Sequence, residues 1–136
     1  MYVFAASFSQ PLAVADATAV TAGVDGAMIA RYLNGLTGSA LSQGINTAGA
    51  LRTDATELAR YFETIRPMLD IDGNGEFNAL TDGLLLVRYM LGVRGDTLVA
   101  GAVGNGATRF MAQVQAYLAS VLPWCNSVSK SSNCFV

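Results

Sequence analysis

Histidine is absent from this chain of 136 residues, and cysteine occurs only twice. Without an imidazole, neither a Cys/His metal centre nor a His-activated nucleophile can be assembled. Charge is scarce as well: 13% of residues are charged, against roughly 25% in an average soluble protein. The single Lys, Lys130, and the net charge of −2 leave no basic patch for nucleic acid. No apolar run reaches the roughly 18 residues of a membrane helix, because Pro11, Asp16, Asp25 and scattered Gly and Arg interrupt every candidate. The opening "MYVFAASFSQPLAVADA" ends in small residues, as a signal-peptide cleavage region does. It lacks the positive leading segment, so it is expected to belong to the mature fold.

Hydrophobic residues make up 52% of the chain. The length suits one modest core and not two, and a single domain over 1–136 is expected. With so little charge, much of the surface must be Ala, Gly, Ser and Thr, which favours contact with another protein surface. Cys125 and Cys134 bracket the polar stretch "CNSVSKSSNC". A disulfide there would remove roughly 2.5–3 kcal/mol of unfolded-chain entropy. The spacing suits an oxidised pair in an exported protein, with two free thiols as the alternative.

The chain is written twice. Laying "DGAMIARYLNGLTGSALSQG" (25–44) over "DGLLLVRYMLGVRGDTLVAG" (82–101) pairs Asp25 with Asp82, Arg31-Tyr32 with Arg88-Tyr89, Gly35 with Gly92, Gly38 with Gly95, Leu41 with Leu98 and Gly44 with Gly101. The constant offset of 57 continues to Gly49 with Gly106, Ala50 with Ala107 and Arg52 with Arg109, giving eleven identities in 28 ungapped positions. Repeat 1 spans about 13–65 and repeat 2 about 70–122, with an N-terminal arm (1–12) and a C-terminal tail (123–136).

Each copy reads as loop, helix, Gly-punctuated connection, helix. The first helices are expected to begin near Asp25 and Asp82, as capping carboxylates, and to stop at Gly35 and Gly92. The second helices are expected over 53–65, capped by Thr53 and ended before Pro67, and over 107–122, ended by Pro123. Both place apolar residues at helical spacing. Short helical turns are expected at 39–44 and 96–102. "YVFAASF" is the one strand-like stretch, so the fold class is all-α with an extended arm.

The segment "LDIDGNGEFNALTDG" (69–83) carries the chemistry. A Ca²⁺ ion takes six to eight oxygens, and a loop supplies them from alternate residues where a Gly lets the chain turn sharply. Asp70, Asp72 and Asn74 hold the first, third and fifth positions, and Gly75 the sixth. Glu76, seventh, would give its main-chain carbonyl and point its carboxylate outward. Asn78, ninth, would ligate through a water, and Phe77 would face the core. Asp82 would close the cage from the helix start, at the thirteenth position in place of the usual twelfth. In the other copy the offset maps Asp70, Asp72 and Asn74 onto Ala13, Ala15 and Ala17. One ion per chain is expected.

This run, with Arg88-Tyr89 and Leu91-Gly92 following Asp82, resembles the duplicated loop-helix motif of type I dockerins, an EF-hand variant of exported bacterial proteins. The resemblance covers both copies and is specific in the second. It implies a non-catalytic extracellular domain that binds Ca²⁺ and docks onto a cohesin-like receptor through the first helix of a repeat. Three features depart from it: the extra residue before Asp82, which puts Thr81 at the dockerin acid position, the longer connection between helices, and the stripped first loop.

"RGD" (94–96) stands where the other copy has "TGS" and reads as a connection turn. "GNGATR" (104–109) lacks the Lys and preceding strand of a phosphate loop, and reads as a turn in which Asn105 or Thr108 starts the next helix. The paired arginines (Arg31/Arg88, Arg52/Arg109) are assigned to structure. The clustered acids are committed to a metal, which argues against an enzyme. Two functions follow: a self-assembling subunit of an extracellular filament or surface layer, or a module for a separate cohesin-like receptor. Tyr2, Phe4 and Phe8, on one face of the arm, favour assembly from copies of the chain.

Overall fold

The computed structural model describes residues 12–14, 21–47 and 52–122. Among the described residues there are five α-helices and no strand. Helix α1 (Ala27–Leu33) grows without a break from a π-turn over Ala22–Gly26. It ends in a left-handed glycine, Gly35, at φ 90°, a conformation that costs a residue with a Cβ. A 3-10 turn over Gly38–Leu41 precedes α2 (Ala55–Ile65), which tightens into a second 3-10 turn over Arg66–Leu69. After the loop at 70–78, a π-turn over Ala79–Gly83 leads into α3 (Leu84–Met90), again closed by a left-handed glycine, Gly92, at φ 93°. The single turn α4 (Asp96–Val99) and the helix α5 (Met111–Val121) complete the described chain.

The second helices begin later than their sequence pattern suggests. For α2 the cap is Asp54 and not Thr53: its carboxylate accepts from the N–H groups of Thr56 (3.0 Å) and Glu57 (3.1 Å). Helix α5 starts at Met111 and not near 107, because Thr108 and Arg109 are drawn away by tertiary hydrogen bonds described below. Neither Asn105 nor Thr108 caps it; the N–H of Phe110 donates to Gln113 Oε1 at 2.9 Å. The short turns expected after the first helices form at Gly38–Leu41 and Asp96–Val99.

The hydrogen bonds repeat with the sequence. Arg31 donates from Nη1 to the carbonyls of Ala40, Leu41 and Gln43 (3.1, 3.3 and 2.7 Å). Arg88 donates in the same way to Thr97, Leu98 and Ala100 (3.3, 2.9 and 2.8 Å). Each guanidinium thus ties off carbonyls that a short helical turn cannot satisfy internally. The two copies also pack reciprocally. Helix α1 lies against the π-turn ahead of α3, and α3 against the π-turn ahead of α1. A Cβ on Gly26 would come 3.0 Å from Met90 Sδ, and one on Gly83 would come 3.4 Å from Leu33 Cδ1, so both glycines stand at the crossing.

The core follows the same pairing: Leu12 with Leu69, Val14 with Ile71, Met28 with Leu85, Ile29 with Leu86 and Leu41 with Leu98 are all buried. In the second helices the register slips by one, so that Leu58, Phe62 and Ile65 of α2 correspond to Val114, Leu118 and Val121 of α5. Phe62 stacks on Tyr32, with ring centroids 4.5 Å apart. The strand-like stretch, the arm residues Tyr2, Phe4 and Phe8, and the pair Cys125 and Cys134 lie outside the described residues.

Candidate metal centre

Between Leu69 and Asp82 the chain folds around its own polar side chains. Asp70 Oδ1 accepts from the N–H of Asn74 (3.1 Å) and Oδ2 from that of Gly75 (2.9 Å). Asp72 Oδ1 accepts from Asn74 N–H (3.2 Å), and Asn74 Oδ1 from Glu76 N–H (2.8 Å). These local bonds are available because Gly73 (φ 73°) and Gly75 (φ 87°) turn the backbone left-handed between the polar residues. The carboxylates of Asp70, Asp72 and Asp82 each offer an oxygen, and these oxygens lie within 4.8 Å of one another. The three residues could therefore hold a metal ion.

Asp82 reaches back from the π-turn to the head of the loop. Its Oδ1 accepts from the N–H of Ile71 (2.6 Å) and of Asp72 (3.3 Å), and its Oδ2 from the N–H of Asn78 (2.9 Å). It is thus not a helix cap; Asn78 takes that role, its side chain accepting from Leu80 N–H at 2.7 Å. The residue that lengthens the loop is absorbed in the π-turn, where Gly83 N–H donates to Asn78 O, five residues back, at 3.1 Å. Glu76 is exposed, with its N–H committed to the loop. Asn78 is exposed too.

Asp72 and Asp82 are fully buried, and Asp70 is partly so. Burial raises the pKa of the Asp82 carboxyl above the usual carboxylate value. The backbone N–H groups of Asn78, Asp72 and Ile71 oppose that rise, and the charge of Asp72 adds to it. The donor set is all oxygen and predominantly carboxylate, which suits a hard divalent cation.

Comparison with family models, with curated proteins and with solved structures finds no match.

A wall of the loop comes from the connection ahead of α5, whose sequence by itself reads only as a turn. The N–H groups of Thr108 and Arg109 both donate to the carbonyl of Asp72 at 2.9 Å. Arg109 Nη1 donates to the carbonyls of Asp70 (2.8 Å) and Ile71 (3.2 Å), and the guanidinium lies 4.0 Å over the Tyr117 ring. Thr108 Oγ1 donates to the Gly73 carbonyl (2.8 Å), and the Gly104 N–H to Asp72 Oδ2 (2.7 Å). Asn74 Nδ2 donates to the Asn105 carbonyl at 3.2 Å. Four consecutive carbonyls of the loop head are thus engaged from outside. The repeat itself held the one available signal, since Arg109 repeats Arg52 while Thr108 replaces Leu51.

In the other copy Arg52 Nη1 donates to the carbonyls of Ala13 and Val14, both at 3.0 Å, and stacks 3.7 Å over Tyr61. Asp25 is buried and accepts from Thr21 N–H at 2.9 Å, as Asp82 does from Asn78. Ala13 occupies the place of Asp70; Ala15 and Ala17 lie outside the described residues.

Proposed function

We propose that this chain is a non-catalytic, exported Ca²⁺-binding module, with one ion held in the loop at 70–82, that works by associating with copies of itself. One observation carries the metal reading: two fully buried carboxylates, Asp72 and Asp82, converge with Asp70, and the charge acting on Asp82 is the repulsive one of Asp72. Buried like charges are costly, and a cation among them relieves both repulsion and desolvation. Ca²⁺ is favoured over Mg²⁺ because the ligands come from one loop of mixed carboxylate, amide and carbonyl oxygens, whereas Mg²⁺ demands a tight octahedron and keeps its waters. Asp70, Asp72, Asn74, the Glu76 carbonyl and Asp82 are the proposed ligands, with Asn78 outside the cage.

Self-association is supported by the large apolar side chains left on the surface, among them Leu80, Leu91 and Phe110 at 76%, 55% and 59% exposed. Together with the scarce charge of the chain they suit contact with another protein surface. Calorimetric titration of the full chain with Ca²⁺, followed by light scattering, tests both parts. One saturable binding step and a mass above the monomer are expected. Absence of Ca²⁺ uptake would refute the metal reading. A chain that stays monomeric at high concentration with Ca²⁺ would refute self-association and favour a separate, cohesin-like receptor.

A further inference from the structure

We propose that Thr108 and Gly104, on the connection ahead of α5, are positioning residues that set the metal ligands of the loop at 70–82; the proposal rests on the metal-binding reading above. The two copies separate what serves the fold from what serves the ion. Arg109 and Arg52 make the same bonds to the heads of their loops, so that clamp belongs to the repeat whether or not ligands are present. Three other bonds cannot be made by the first copy, because the side chains they use are missing there. Thr108 Oγ1 to Gly73 O has Leu51 in its place, Gly104 N–H to Asp72 Oδ2 has Ala15, and Asn74 Nδ2 to Asn105 O has Ala17. The connection is fitted to the loop where the loop carries ligands.

Each bond has a definite consequence for the ligands. The Gly104 N–H holds one oxygen of Asp72 at 2.7 Å and so fixes the rotation of that carboxylate. The Thr108 hydroxyl holds the Gly73 carbonyl and so fixes the left-handed turn between Asp72 and Asn74. Gly104 is not in the left-handed region, so conformational freedom is not what it supplies. It supplies space: a Cβ there would stand 2.8 Å from Asn74 Nδ2 and 3.1 Å from Asp72 Oδ2. Thr47 occupies the repeat-equivalent position, and the repeat-equivalents of Asp72 and Asn74 are Ala15 and Ala17. The atoms a Gly104 Cβ would displace are the far ends of the Asn74 and Asp72 side chains and not backbone, so the fold can absorb the change while the ligand geometry cannot. Loss of groups that orient ligands in this way typically costs roughly 10–100-fold in metal affinity.

The test is calorimetric titration of Ca²⁺ into the EGTA-stripped full chain, for the wild type and for Thr108→Val, Thr108→Ser and Gly104→Ala, with the metal-free melting curve of each. Thr108→Val and Gly104→Ala are expected to bind about tenfold or more weakly. Thr108→Ser keeps the hydroxyl and is expected to bind close to wild type, while all three melt near the wild-type temperature without metal. Wild-type affinity in Thr108→Val and Gly104→Ala would overturn the proposal. So would a Ser variant as weak as Val, or affinity losses matched by equal losses of metal-free stability. A wild type that takes up no Ca²⁺ would overturn the metal reading with it, whereas a binding wild type with unaffected variants overturns this proposal alone.

Discussion

The segment at 12–25 and the loop at 69–82 are repeat-equivalent in sequence, and only the second carries the candidate metal ligands Asp70, Asp72 and Asn74. Both bury an apolar pair at the head, Leu12 and Val14 against Leu69 and Ile71. In both an Arg from the far connection grips the head carbonyls, and a buried Asp at the helix start accepts a backbone N–H from four residues earlier. They differ at the alternate positions: Ala13, Ala15 and Ala17 against Asp70, Asp72 and Asn74. The loop-helix frame therefore stands on apolar anchors, an arginine clamp and a helix-start carboxylate. The acids of the second loop are an addition to that frame, and one that burial makes costly unless a cation is present. Asp82 has a place in both systems, whereas Asp25 has a place in the frame alone.

The largest expected effect separates those two duties. Asp82→Ala strands the N–H groups of Ile71, Asp72 and Asn78 and is expected to cost about 3 kcal/mol in EGTA, the order found for buried donors that lose their acceptor. Asp25→Ala is expected to cost about 2 kcal/mol, more than an exposed helix cap, because Asp25 is buried. Added Ca²⁺ then discriminates. At a hundred times the dissociation constant it contributes about 2.7 kcal/mol, which the wild type and Asp25→Ala should show and Asp82→Ala should lack. Urea melts of the three proteins with Ca²⁺ and with EGTA measure this. Equal loss of the Ca²⁺ increment in both variants would mean that the first copy holds a site after all.

A weaker and more gradual effect is expected from pH. The folded pKa of Asp82 lies above its ordinary value. Between that ordinary value, about 3.9, and the raised one, the metal-free folded state binds more protons than the unfolded chain. Stability in EGTA should therefore fall as pH rises through this window and level off above it. Ca²⁺ must displace the same proton, so the Ca²⁺ increment should be absent at the acid end and grow as pH rises. Melting temperatures across the acid range, with and without Ca²⁺, should diverge with pH. Parallel curves would detach Asp82 from the ion.

These effects trace back to what the amino-acid pattern discloses. The all-α class and the helix stops were legible because Gly35 and Gly92 sit where only a left-handed glycine closes the helix cheaply, and the loop was legible because its Asp, Asn and Gly spacing is local. The start of α5 was not. Thr108 and Arg109 look like a first helical turn, but the carbonyl of Asp72, more than thirty residues away, takes both their N–H groups. Likewise Thr53 and Asp54 are both competent caps, and only the fold chooses Asp54. The one-residue slip between α2 and α5 was hidden for a related reason. Beyond Arg52 and Arg109 the identities divide between two offsets, Ala55 with Ala112 and Ala59 with Ala116 at 57 but Tyr61 with Tyr117 and Pro67 with Pro123 at 56, and the apolar spacing of each helix is consistent with either register.

The smallest expected effect concerns the residues that open the two π-turns. Asn78 caps its turn through a side-chain bond to Leu80 N–H, whereas the equivalent Thr21 makes no side-chain cap bond. Asn78→Ala should therefore cost about 1 kcal/mol, and Thr21→Ala less. The comparison also assigns Asn78. A residue that ligates through water would lose Ca²⁺ affinity on truncation, while a residue that only caps would lose the same stability in EGTA as in Ca²⁺. Because Asn78 Oδ1 is occupied by Leu80 N–H at 2.7 Å, capping is the expected role, and the two EGTA and Ca²⁺ losses should agree. A Ca²⁺ affinity that drops severalfold in Asn78→Ala, with metal-free stability little changed, would return Asn78 to the ligand set.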